Sequence, residues 1–188
     1  MLTRQGAPAN PQPQRFADLT EWCIVCLMEV SAMKALIIYD SQYGCTEKVA
    51  RAIEAALAQA GEAKAFRPAE VDPAMLGKLD LLIVGSPTQG GRPTKAMAEL
   101  LGKIAADGLK DVPVAAFDTR MKGRMVGVFG FAAGRIETML KGKGGRSVAS
   151  PAGFLVDSSK GPLKEGEAER AAAWAAEVLE GIRKTGTP

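Results

Sequence analysis

Short runs of apolar, mostly β-branched residues break off into loops of small and hydroxylated residues, and each loop leads into a stretch with helical periodicity. The sharpest case begins at Ala35. Leu36-Ile37-Ile38-Tyr39 is continuously apolar, Asp40 ends it, Ser41-Gln42-Tyr43-Gly44-Cys45-Thr46 follows, and Val49, Ile53 and Leu57 then recur on one helical face. A strand buried on both sides reads as such an unbroken run. The alternation continues to the C-terminus, which predicts an α/β fold: a doubly wound parallel sheet of five strands with helices on both faces.

A strand-to-helix turn aims several backbone N–H groups and the positive end of the helix dipole at one spot, where phosphate is a common occupant. Ser41, Tyr43 and Thr46 add hydroxyls, and Gly44 permits close approach of the backbone. The same residues also describe an ordinary turn capped by Thr46. A nucleoside-triphosphatase loop would require G-x-x-x-x-G-K-[ST], and a dinucleotide fingerprint G-x-G-x-x-G; neither is present. A hydroxyl-rich loop with one glycine and no lysine points to a phosphate monoester such as that of flavin mononucleotide (FMN).

Composition removes several alternatives. The 188 residues contain no histidine, which excludes histidine-dependent triads and most zinc sites. Three cysteines, Cys23, Cys26 and Cys45, do not make a disulfide framework, so a reducing cytoplasm is expected. Cys23-x-x-Cys26 has no second pair to complete a metal site. Cys45 reads as a small residue tolerated beside a phosphate or as a reactive thiol. A formal charge of +3 is too small to indicate nucleic acid without a patch.

Residues 1–32 differ from the rest. Gly6-Ala7-Pro8-Ala9-Asn10-Pro11-Gln12-Pro13-Gln14 is proline-rich and polar, so a disordered leader is expected, with the folded domain over 33–188. The apolar patch 22–30 is too short for a membrane span or a signal peptide.

Along the domain, a helix is expected from about Glu47 to Ala60, ended by Gly61, and a second strand over 64–67. Leu79-Asp80-Leu81-Leu82-Ile83-Val84-Gly85 reads as the central strand. It runs into Ser86-Pro87-Thr88-Gln89-Gly90-Gly91-Arg92-Pro93, after which Thr94 caps a helix carrying Met97, Leu101 and Ile104 inward. A fourth strand, 112–117, should stop at a loop, Asp118-Thr119-Arg120. A helix over 132–140 follows, then a final strand over 147–156 interrupted by Pro151, then a helix over 164–184 striped by Ala168, Ala171, Ala172, Ala175, Leu179 and Ile182. Ligands of such sheets bind beyond the carboxyl ends of the strands. There the loops 41–46, 86–92 and 118–120 converge.

From about Lys34 to Lys184 the chain resembles the flavodoxin family. Ser41-Gln42-Tyr43-Gly44-Cys45-Thr46 is similar to the family's phosphate loop, with Tyr43 where many members have threonine. Gly85-Ser86-Pro87-Thr88-Gln89-Gly90-Gly91-Arg92-Pro93 is similar to the segment that wraps the flavin ring, and Phe117-Asp118-Thr119-Arg120 and Gly161-Pro162-Leu163-Lys164-Glu165-Gly166-Glu167 resemble a small bacterial and archaeal branch.

The resemblance implies strand order 2-1-3-4-5, FMN as cofactor, and electron transfer to a redox partner protein, with no catalytic residue of the protein's own. The FMN-binding residues it implies are Ser41, Gln42, Tyr43, Gly44, Cys45, Thr46, Pro87, Thr88, Gln89, Gly90, Gly91, Arg92, Asp118, Thr119 and Arg120. An NAD(P)H-dependent quinone-type reductase and a flavin-free interaction module are the alternatives. Family members commonly stack aromatics on the ring, whereas here Gln89 and Asp118-Thr119-Arg120 occupy those loops, and Phe129 or Phe131 would have to swing in. Arg120, Lys122, Arg124, Arg135, Lys141, Lys143 and Arg146 oppose only Glu137; such a run is first a solvated face, and more sharply a surface for an acidic partner or anionic substrate.

Overall fold

The computed structural model describes residues 33–122 and 130–185. The leader, the cysteine pair Cys23 and Cys26, the patch 22–30, Arg124 and Phe129 lie outside them.

β1 (Met33–Tyr39), β2 (Gly61–Phe66), β3 (Leu81–Pro87) and β4 (Pro113–Met121) form a parallel sheet in the order β2-β1-β3-β4, continued by β5 (Arg146–Ser147). A sixth strand, β6 (Ala152–Val156), also pairs with β4. The expected order 2-1-3-4-5 holds, with its last position divided in two. Parallel neighbours require crossovers. Among the described residues four helices supply them or pack beside them: α1 (Cys45–Leu57), α2 (Lys95–Lys103), α3 (Ala132–Lys141) and α4 (Glu167–Thr185). Two 3-10 turns, Pro68–Glu70 and Pro73–Leu76, stand in the connection where one helical turn was expected.

Both sheet faces are buried, which explains the unbroken apolar runs. Ala35, Ile37, Tyr39, Leu81, Ile83, Ala115 and Phe117 share one core with α1 and α4, whereas Leu36, Ile38, Leu82, Val84, Val114 and Ala116 share the other with α2 and α3. Each fully buried leucine or isoleucine stabilises the fold by about 2 kcal/mol. Phe117, Phe154 and Trp174 meet edge to face in the first core, with ring centroids 6.0–6.3 Å apart. Trp174 and Val178 therefore lie on the buried centre of α4 with Ala171 and Ala175, and the expected alanine stripe is rotated toward them.

Three boundaries differ from expectation for physical reasons. β4 continues through Asp118, Thr119 and Arg120, because Ser86 and Pro87 pair with it on one side and residues 152–156 on the other. The final strand is not continuous: β5 pairs with Pro113 and Val114, β6 with residues 117–121, and Pro151 lies in the break. α1 starts at Cys45, with Gly44 as its N-cap at φ 81°, and ends before Gly61, which is already the first residue of β2. Thr94 does cap α2, accepting from the Met97 amide at 3.4 Å.

At the outer strands, helix side chains take outward-facing backbone groups. Glu54 of α1 accepts from the Ala65 amide (2.8 Å), and Glu167 of α4 accepts from the Leu155 amide (2.9 Å), while Arg170 donates to the Gly153 carbonyl.

Candidate functional site

The strand order reverses between β1 and β3, so their carboxyl ends open a crevice. A cavity of about 320 Å³ lies there.

Its first wall is the loop after β1. Ser41 is 7% exposed, and among the described residues its buried Oγ has no hydrogen-bond partner. The first backbone bond of α1 runs from the Lys48 amide to the Gly44 carbonyl (3.0 Å), and among the described residues none of the amides of residues 42–47 meets a backbone acceptor. Three of these belong to the opening turn of the helix, where orphan donors are intrinsic. Thr46 does not cap the helix. It lies in the first turn, and its Oγ1 is 2.8 Å from Oγ1 of Thr119. A hydroxyl pair uses one proton between its members, leaving the other to be donated outward. Cys45 and the exposed Tyr43 complete this wall, and Gly44 supports it from the cap position.

The second wall is the end of β3. Pro87, Thr88 and Gln89 line the cavity. Gln89 and Arg92 exchange two backbone hydrogen bonds (2.9 and 3.0 Å) across Gly90 and Gly91, whose φ values are 54° and 77°. Positive φ at both central positions of a two-residue hairpin is the type I′ arrangement, which glycine adopts without strain. Gly90 and Gly91 thus shape the loop without lining the cavity.

The third wall is the end of β4, where the residues are largely engaged. Asp118 is fully buried beneath the rim; its carboxylate accepts from the Ala133 amide (2.9 Å) and pairs with Arg120. Thr88 Oγ1 accepts from the Ala132 amide (3.1 Å), so Thr88 and Asp118 together satisfy the start of α3. Burial pushes the Asp118 carboxyl above the ordinary carboxylate range, despite the opposing pull of the Ala133 amide and Arg120. The Arg120 guanidinium lies 3.5 Å from the centroid of the Phe131 ring, so Phe131 is committed to that stack. Thr119, Arg120 and Met121 reach the cavity.

A fourth wall was missed from sequence: Val156 at the end of β6, and Ser159 and Gly161 after it. The topology alone could have revealed it, since a parallel last strand ends on the same rim. A Cβ at Gly161 would come within 2.8 Å of Cys45 Sγ, so a side chain there would press on the first loop. Met121 was missed as well. With Tyr43 it forms the pair of large apolar side chains left exposed among the described residues, 49% and 55%, and both line the cavity.

Arg92 is placed elsewhere. It lines a groove of about 640 Å³ with Lys95, Arg135 and Met139, which shares only Gln89 with the cavity. Within the basic run, Lys141 pairs with Glu137 (2.8 Å) and Arg120 with Asp118. Among the described residues no acidic or cysteine cluster suits a metal, and no helix is long and apolar enough to cross a membrane.

The family model described as Flavodoxin matches residues 37–174. No curated protein sequence matches the chain. Among solved structures, oxidised flavodoxin 2 from Bacillus cereus superposes with a TM-score of 0.67 at 24% identity, over 78% of this chain and 98% of that one. A flavodoxin from the domain Archaea gives 0.66 at 17% identity, over 80% and 99%. Rubredoxin:oxygen oxidoreductase from Desulfovibrio gigas gives 0.66 at 20% identity, over 82% of this chain but 37% of its own length.

Proposed function

Since this chain belongs to the flavodoxin family, we propose that it is a cytoplasmic, FMN-binding electron carrier serving a redox partner protein. One observation carries the reading: a buried Ser41 hydroxyl on the cavity wall that has no partner among the described residues, beside backbone amides that meet no backbone acceptor among them. A buried donor left unmade is destabilising by about 1–3 kcal/mol, so the loop has the chemistry of a site completed by an anion. This also argues against a flavin-free interaction module.

In this reading the amides of residues 42–47, with the Ser41 and Thr46 hydroxyls, hold the phosphate. Tyr43 and Met121 provide apolar surface for the ring, and the backbone of Pro87, Thr88 and Gln89 provides its polar edge. Met121 takes the role that an aromatic would fill, since a thioether packs well against a conjugated ring. Bound FMN supplies the electron-accepting chemistry; the protein sets its orientation and potential. Among the described residues no carboxylate lines the cavity, and the chain has no histidine, which favours electron carriage over proton-coupled turnover of a substrate. The groove lined by Arg92, Lys95 and Arg135 suits a partner whose docking face is acidic.

The test is the visible spectrum of the protein titrated with FMN, for the parent and Thr46→Ala. The parent should bind, and the variant should bind more weakly by about 1–3 kcal/mol, the range for a hydrogen bond to a charged group. Equal affinities would remove the phosphate from this loop.

A further inference from the structure

We propose that Arg67 is a positioning residue that sets the first loop's preference for a phosphate-bearing flavin over an uncharged one; this rests on the phosphate reading above. Arg67 immediately follows β2, across the sheet edge from the cavity walls already described. Its Nη1 donates to the Ser41 carbonyl (3.1 Å), and its Nη2 pairs with Glu47 Oε2 (2.8 Å). The other Glu47 oxygen accepts from the Tyr39 hydroxyl (3.0 Å), and the guanidinium lies 5.6 Å from the centroid of the Tyr39 ring. The base of the side chain is held too: the Arg67 amide donates to Glu70 Oε2 (2.7 Å), and its carbonyl accepts from the Glu70 amide (3.0 Å).

A peptide unit is planar and trans, so its C=O and the following N–H point in opposite directions. Fixing the Ser41 carbonyl on Arg67 therefore turns the Gln42 amide away from Arg67, and among the described residues that amide has no backbone acceptor. Glu47 occupies the third position of α1, so one guanidinium ties the start of the loop to the first turn of the helix. One side chain thus touches both ends of the loop and directly fixes the peptide that carries the Gln42 amide. Arg67 and Glu47 are 43% and 36% exposed, and exposed ion pairs contribute little to stability. Orientation is what the contact supplies. A lysine could not reproduce it, because only the planar fork reaches two acceptors in fixed directions.

The experiment titrates the parent, Arg67→Met and Arg67→Lys with FMN and with riboflavin, and follows thermal unfolding of the flavin-free proteins. Arg67→Met should lose about tenfold in FMN affinity, the scale of one charged hydrogen bond, while riboflavin affinity stays within about twofold. Arg67→Lys should fall between. If Arg67→Met does not fold, Arg67→Lys carries the test alone, through the same selective loss of FMN. Equal losses for both flavins would mark Arg67 as merely structural, and unchanged FMN affinity would remove it from the site; either overturns the proposal. A parent that binds both flavins equally would overturn the phosphate reading itself, and this proposal with it.

Discussion

The two sides of the cavity handle their polar groups in opposite ways. On the β1 side, among the described residues, the Ser41 hydroxyl has no partner and a row of backbone amides has no backbone acceptor. On the β4 side, Asp118 and Arg120, with Thr88 from the neighbouring end of β3, are already bonded to α3 or to one another. One side is unfinished without a ligand, and the other is finished without one. Polar residues gathered at a rim thus divide into those that await a ligand and those that hold the rim together, and accounting for their hydrogen bonds separates them.

Breaking the finished side should give the largest effect. Asp118→Asn replaces by an NH2 one of the two oxygens that accept from Arg120 and the Ala133 amide, so a buried donor is left unmade and the fold should lose about 3 kcal/mol in chemical denaturation. The pH dependence has a definite sign. Burial raises the folded-state pKa of Asp118, so the stability it confers is greatest below its unfolded value near 3.8 and is lost as pH rises through the folded value. The parent's advantage over Asp118→Asn should therefore shrink as pH rises from 3.8, and an advantage that grows instead would mean the ionised pair stabilises the fold.

The unfinished side should respond in the opposite sense. Ser41→Ala removes an orphan hydroxyl, so the flavin-free protein should melt no lower than the parent, while FMN affinity falls by about 1–2 kcal/mol. Calorimetric melting and flavin titration together check this. A drop in flavin-free stability would mean that Ser41 was already satisfied, and the contrast between the two sides would disappear.

The smallest effect concerns potential. Arg120 lines the cavity and Arg92 does not. Arg120→Gln should lower the reduction potential of bound FMN by some tens of millivolts, given that about 1.4 kcal/mol corresponds to roughly 59 mV for one electron. Arg120→Lys should retain most of it, and Arg92→Gln should match the parent. A redox titration in which Arg92→Gln shifts as far as Arg120→Gln would show that the field acts across the whole rim, and not through the cavity wall.

What the sequence disclosed followed from burial. β1, β3 and the inward faces of α2 and α3 were legible because a core on each sheet face requires unbroken or periodic apolar residues. The end of β4 was hidden because Asp118, Thr119 and Arg120 look like loop residues until their partners Ala133 and Thr46, distant in sequence, come into view. The division between β5 and β6 was only hinted at by Pro151. Trp174 was overlooked because small alanines defined the stripe on α4, whereas its centre is set by packing against Phe117 and Phe154. Of the candidate site residues, those of the first loop were readable as donors. Met121 and Ser159 carry no motif, and Gly161 was read only within the segment 161–167; all three acquire a role through the rim they share.

The glutamates that close the outer strands have a consequence for crowded solutions. A sheet's last strand is a template on which a neighbouring molecule can add its own strand and begin an aggregate. Here a newcomer would first have to dislodge Glu54 from the Ala65 amide on one edge, or Glu167 and Arg170 from the Leu155 amide and Gly153 carbonyl on the other. The guards belong to helices and not to the strands they protect. A substitution on the flank of α1 or α4, remote from the cavity, can therefore leave flavin chemistry intact and still change how many copies remain dispersed.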